Sequence, residues 1–210
     1  MAESRQREGW TCPRGFEART TCLLLIDVQN NTWNDALERT HPNFYAHVRD
    51  RVLPNLKHLV DATRSAHAEV MYTVIENMTR NGRDRSLDHK LSGFSVAKGS
   101  WHAAVIKRVA PGDDEIVLPK TSSGVFNSTN IDYLLRNIGI TSLIVTGFLT
   151  DQCVDHAIRD AADRGYYVTC VSDACATYTR ERHDTALHAF GGYCRILSTA
   201  EVVRELVGQA

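Results

Sequence analysis

The chain lacks several things that would each point to a function. Its longest apolar runs, such as CLLLI and SLIV, fall far short of the roughly 20 residues that a membrane-spanning helix needs. Charge is balanced, with 24 Lys+Arg against 25 Asp+Glu and a net charge of −1, so there is no electrostatic footprint for nucleic acid or an anionic membrane. Among the six cysteines (12, 22, 153, 170, 175 and 194) no Cys-x-x-Cys pair occurs, which argues against a zinc or dithiol redox motif. No 20 to 50 residue period and no low-complexity stretch is present, which excludes solenoids and disordered linkers. The N-terminal MAESRQREGW has no apolar core of a secretory signal, so a reducing cytoplasmic setting is expected and most cysteines should be small buried apolar residues. The expected partner is a small molecule or another copy of the chain.

What is present is an alternation of strands and helices. TCLLLIDV (21–28) reads as a buried strand, HVRDRVLPNLKHLVDATRSA (47–66) as a helix and AEVMYTVIE (68–76) as a second strand. A polar region (77–100) and a short helix near 101–108 precede the strand EIVLPK (115–120). The helix STNIDYLLRNIG (128–139) follows, with a Ser/Thr start and a Gly stop. Then come the strand TSLIVTG, a helix CVDHAIRDAADRG, the strand YYVTCVSDA, a helix RERHDTALHAF, the strand YCRILST and a final helix AEVVRELVG. Strands apolar along their whole length imply burial on both faces. A length of 210 residues suits one core. The expectation is a single α/β domain over 1–210, with 1–19 as an N-terminal arm: three layers, Rossmann-like, around a six-stranded, mostly parallel sheet of order 3-2-1-4-5-6.

In such sheets ligands sit beyond the carboxyl ends of the strands. Three chemically useful residues fall there: Asp27 after the first strand, Lys120 at the end of the third and Cys153 just past the fourth. Singly each has an ordinary explanation, since a strand-end Asp caps turns, a Lys after Pro is solvated and a helix-start Cys packs. Together they form a unit. A thiol at a helix N-terminus beside a Lys gains thiolate character, an Asp can take its proton and return it to a leaving amine, and backbone N–H groups at the bend can hold an oxyanion.

The segments LLLIDVQN, VLPKTSSGVF and GFLTDQCVDHAIRDAADRGYYVTCVSDA, in this order, resemble the signature segments of the isochorismatase-like cysteine hydrolase superfamily over about residues 20–197. The resemblance implies Asp27 as general acid/base, Lys120 as charge stabiliser and Cys153 as nucleophile. It also implies a cis peptide at Phe148–Leu149 that turns backbone N–H groups, Cys153's among them, toward the oxyanion, and a homodimer or homotetramer. Members resembling nicotinamidase carry an Asp-x-His pair for a metal. Here only Asp88-His89 stands after the second strand, so neither a metal nor any other cofactor is expected. IEN, KGSW, VLPKTSSGVFNSTNID and TGFLTDQCV look most like the ureidoacrylate, or carbamoyl-amide, hydrolases.

The function implied is hydrolysis of a C–N amide or ureide bond of a small carbamoyl or ureido compound through a thioester. The alternatives are a vinyl ether hydrolase of isochorismatase type, which needs no thiol nucleophile, and a catalytically silent oligomeric scaffold. Gln29, Asn31 and Trp33 after strand one, Glu76 and Asn77 after strand two, and Ser123, Phe126 and Phe148 nearer the nucleophile are the candidate substrate contacts. Trp33 and Phe126 could equally serve the core or a subunit contact. His156, three residues after Cys153, would form a dyad only with unfavourable geometry. The run RNGRDR (80–85) reads as a solvated loop or a lid, and Trp10, Phe16 and Tyr193 are candidate interface residues.

Overall fold

A computed structural model describes residues 15–208. Six strands, β1 (Thr21–Ile26), β2 (Glu69–Ile75), β3 (Ile116–Lys120), β4 (Ser142–Phe148), β5 (Tyr167–Ala176) and β6 (Arg195–Leu197), form one sheet of order β3-β2-β1-β4-β5-β6. All five strand pairings are parallel. The order reverses between β1 and β4, which places the switch point at the end of β1.

Side chains alternate across β1 because successive residues of a strand face opposite ways. Cys22, Leu24 and Ile26 enter one core with Met71, Val125, Phe126, Cys153 and Ile158, whereas Leu23 and Leu25 enter the other with Phe44, Leu56, Leu59 and Phe148. The helices are α1 (Asp35–Thr40), α2 (Pro42–His47), α3 (Leu53–Ser65), α4 (Leu87–Leu91), α5 (Val125–Ser128), α6 (Ile131–Ile138), α7 (Asp155–Asp163), α8 (Arg180–Phe190) and α9 (Thr199–Val207). Buried residues of α5 to α8 join the first core, and those of α2, α3 and α9 the second. None of these helices is long and apolar enough to cross a membrane.

The local endings are chemical. α6 stops at Gly139, whose φ of 88° is the left-handed region that an L side chain resists, and α9 begins with a reciprocal Ser198/Glu201 capping box. Three readings of the sequence change. The helix anticipated over 47–66 is a π-type turn (Val48–Val52) running into α3, the one near 101–108 is two 3₁₀ turns (Trp101–Ala103 and Lys107–Val109), and the 77–100 region contains α4. α4 escapes a periodicity reading because its one buried residue is His89.

Candidate active site

Asp27 follows β1 with φ 53°, a left-handed conformation that Asp adopts more readily than bulkier residues. Its N–H donates to Thr73 O (3.0 Å), its carbonyl accepts from Thr32 Oγ1 (2.7 Å), and its Oδ1 accepts from Thr73 Oγ1 (2.7 Å). Neither threonine stands out in the sequence, where both look like ordinary strand and loop residues. Their effect is to aim Oδ2 elsewhere, and Oδ2 lies 2.8 Å from Lys120 Nζ.

Lys120 ends the edge strand β3, where Pro119 is tolerated because an edge has no second neighbour to receive its missing N–H. The ammonium turns inward and is wholly buried. It donates to Ser122 O (2.8 Å) and Ser123 O (3.3 Å) and to Cys153 Sγ at 3.4 Å. Burial opposes its charge, yet the Asp27 carboxylate and the Cys153 sulfur outweigh burial and raise its pKa. Lys120 is therefore an ammonium.

Gly147 precedes Cys153 where β4 runs close against β1. Its φ is 114°, and a Cβ at this position would collide with Ile26 O, so no side chain fits between β4 and β1 here. The β4–β5 register shifts between Val145 and Gly147, and the Phe148–Leu149 peptide is cis. A π-type turn, Thr150–Val154, then carries Cys153 into α7. The N–H groups on either side of Cys153, those of Gln152 and Val154, both donate to Leu149 O at 3.0 and 3.3 Å.

The thiol itself overturns one expectation. A helix start and a lysine should lower its pKa, but burial, reinforced by the Asp27 carboxylate and opposed by Lys120, pushes it up to about 12. Desolvation of a residue only 5 % exposed outweighs the cation beside its sulfur. Cys153 rests as a thiol between an acceptor and a cation.

The other candidate residues separate into two groups. Ser123 contributes its carbonyl to Lys120, as does Ser122, which carries no signal of that role in the sequence. Gln29 is not available to a substrate, because both amide hydrogens are spent on Ile75 O and His102 O and its Oε1 on Ile75 N (2.6 Å), tying β1 to β2 and the 101–103 turn. Glu76 receives Gly99 N–H and fastens the 97–100 turn, and Asn77 donates to Ser95 Oγ (3.0 Å). Asn31 is half-buried, its N–H bound to His102 O. Trp33 stacks on Tyr45 (4.8 Å between ring centroids) and donates to Tyr45 O. Phe126 lies in the core with Arg164 4.8 Å over its ring, and buried Phe148 meets Phe44 edge-on.

His156 is exposed and bonds Gln152 O (3.0 Å), so it forms no dyad. The 80–85 run is pinned by Asp84, which accepts from Met78 and Thr79 N–H, and by Arg85, which donates to Phe94 O (2.7 Å). Phe16 is buried under the Arg195 guanidinium, Tyr193 is exposed, and Trp10 and Cys12 lie outside the described residues. A cavity of about 730 Å³ between α2 and α8, lined by Phe44, His47, Arg51, Tyr178, Arg180 and His183 among others, includes none of Asp27, Lys120 and Cys153.

A doubly wound α/β fold with a carboxylate, an ammonium and a thiol gathered at its switch point defines the class. The isochorismatase domain family matches residues 21–202, and the chain belongs to that family. Nicotinamidase 3 of Arabidopsis thaliana is 26 % identical over 99 % of this chain and 100 % of its own length. The ureidoacrylate amidohydrolase RutB of Agrobacterium fabrum is 25 % identical over 92 % of this chain and 96 % of its own. A cysteine hydrolase from Pseudomonas syringae pv. phaseolicola has the same fold, with a TM-score of 0.82 at 22 % identity, covering 96 % of this chain and all of that one.

Proposed function

We propose that the protein is a cysteine-dependent amidohydrolase that cleaves a C–N amide or ureide bond of a small carbamoyl or ureido compound. The observation that carries this reading is the contact set of Lys120 Nζ, 2.8 Å from Asp27 Oδ2 and 3.4 Å from Cys153 Sγ, in a site closed to solvent. The similar nicotinamidase and ureidoacrylate amidohydrolases bear names that both denote amide cleavage, which supports the bond type.

The chemistry follows from a thiol held protonated at rest. Asp27 takes the S–H proton as sulfur attacks the carbonyl carbon, Lys120 offsets the negative charge, and the Cys153 N–H serves the oxyanion. The C–N bond breaks as Asp27 returns the proton to the departing nitrogen, leaving a thioester. Water then adds to the thioester with its proton passing to Asp27, the acid departs, and the sulfur recovers the proton. A carbamoyl acyl group would leave as carbamate and decay to carbon dioxide and ammonia. A homodimer or homotetramer in the cytoplasm, acting without a metal or other cofactor, completes the proposal.

Ammonia release from carbamoyl, ureido and simple carboxamide compounds by metal-stripped protein, beside Cys153→Ala, is the test. Release by the wild type alone is expected. Silence across the panel, or equal release by both proteins, would turn the assignment toward ether hydrolysis or a scaffold.

A further inference from the structure

The cavity between α2 and α8 takes no part in the chemistry above, since none of Asp27, Lys120 and Cys153 lines it. Its volume of about 730 Å³ is in the range that holds a small molecule. Phe44, Tyr178, Ala176 and Leu187 give its wall an apolar part, with Phe44 and Tyr178 packed edge to face at 5.3 Å between centroids. Arg51, Arg180, His47 and His183 give it a donor-rich part. The Asp173 carboxylate also lies on the wall, but its Oδ1 is occupied by the N–H and the hydroxyl of Thr199, both at 2.7 Å.

The groups left unmet favour an acceptor of negative charge. Arg180 is paired with Asp184 (2.7 Å), whereas the exposed Arg51 side chain has no hydrogen bond or ion pair among the described residues. Thr177, on the same wall and 5 % exposed, has a hydroxyl without a protein partner. The imidazoles register a positive field. Burial, with Arg180 and Arg51, holds His47 below its ordinary pKa. Burial, with Arg180 and His47 and against Asp184 and Asp151, does the same to His183. A carboxylate suits this surface, because a guanidinium binds it through two parallel N–H donors.

Two wall residues also touch the segment that carries Cys153. His183 Nδ1 lies 2.9 Å from Thr150 Oγ1, the first residue of the Thr150–Val154 turn, and Phe44 meets Phe148 edge-on at 6.0 Å. We infer that the cavity is a second ligand site, for a small organic acid whose carboxylate meets Arg51 and whose apolar body lies on Phe44, Tyr178 and Leu187, and that its occupancy restrains the Cys153 turn through His183. This goes beyond the amidohydrolase reading and holds whatever bond the enzyme cleaves.

The probes are 2-naphthoate and its neutral counterpart 2-naphthalenemethanol, titrated into the full chain by calorimetry and by ¹H–¹⁵N NMR. The acid should bind and shift the amides of residues 43–47 and 177–183. The alcohol, and the acid with Arg51→Gln, should each bind about tenfold or more weakly, the scale of a lost charge-assisted hydrogen bond. No binding at millimolar acid, equal binding of acid and alcohol, an unchanged affinity in Arg51→Gln, or shifts confined to Asp27, Lys120 and Cys153 would overturn the site. The restraint is read without turnover, from iodoacetamide alkylation of the Cys153 peptide by mass spectrometry. A thiol of a 5 % exposed residue reacts when its turn opens, and a filled cavity that joins α8 to α2 opposes opening. Saturating 2-naphthoate should slow alkylation about fivefold or more. Arg51→Gln at the same acid concentration, and Thr150→Val with the acid bound, should show no slowing. An unchanged rate in the loaded wild type, or equal slowing in Thr150→Val, would overturn the link to the turn. Because neither readout uses a substrate, failure of the amidohydrolase reading would leave both results standing.

Discussion

Two Lys–Asp pairs in this molecule have nearly the same length and opposite surroundings. On α3, Lys57 Nζ lies 2.6 Å from Asp61 Oδ1 with both side chains about half exposed. At the sheet switch point Lys120 and Asp27 lie 2.8 Å apart at 0 % and 1 % exposure. Water screens the first pair, and such pairs contribute about 0 to 1 kcal/mol. The second has lost its hydration, which attraction alone seldom restores. It is held by further partners: two serine carbonyls on the ammonium and Thr73 on one carboxylate oxygen. The other oxygen, Oδ2, takes the ammonium itself at 2.8 Å, and the carboxylate also acts on the thiol. A buried pair that contributed only stability could be replaced by apolar side chains. One whose carboxylate interacts with a sulfur as well as with its cation is suited to moving a proton.

Breaking the buried pair should have the largest effect. Lys120→Met strands a carboxylate and should cost about 3 to 5 kcal/mol in urea unfolding together with all hydrolysis. Asp27→Leu with Lys120→Met should be less destabilised than either single variant and equally inactive. Two singles whose losses simply add would contradict the pairing. Gly147→Ala comes next, since a methyl group at φ 114° meets Ile26 O. A loss of about 1 to 3 kcal/mol is expected, read from thermal unfolding, with Cys153 displaced from Lys120.

The pH response sharpens the contrast. Cys153 and Lys120 both have raised pKa values in the fold. The stabilisation each provides is complete below its unfolded value, about 8.5 for the thiol and 10.4 for the amine, and is lost as pH climbs through the folded one. The urea midpoint should fall as pH rises from about 8.5 toward 12, and Cys153→Ser should flatten part of that fall. Smallest is Lys57→Ala, expected within about 0.5 kcal/mol of wild type and independent of pH between 5 and 8.

Much of this is legible in the residues alone. Fully apolar strands imply a parallel sheet buried on both faces, and the chemistry-bearing residues sit at strand ends because a parallel sheet collects those ends on one side. What stays hidden depends on direction rather than residue type. Nothing in VIENM shows that Gln29 spends its amide tying β1 to β2, nor that Thr73 aims the Asp27 carboxylate. The thiol's raised pKa runs against the sequence reading because a neighbouring cation is visible in sequence and desolvation is not. His89 goes unread as a buried residue because a lone histidine in a polar stretch has no period to reveal its burial.

The most direct test of the central claim is intact-protein and peptide mass spectrometry of acid-quenched turnover with a hydrolysed carbamoyl or amide compound. The account predicts an acyl adduct on the peptide carrying Cys153, absent in Cys153→Ser. Turnover by Cys153→Ser at the wild-type rate, with no adduct on the wild type, would contradict it.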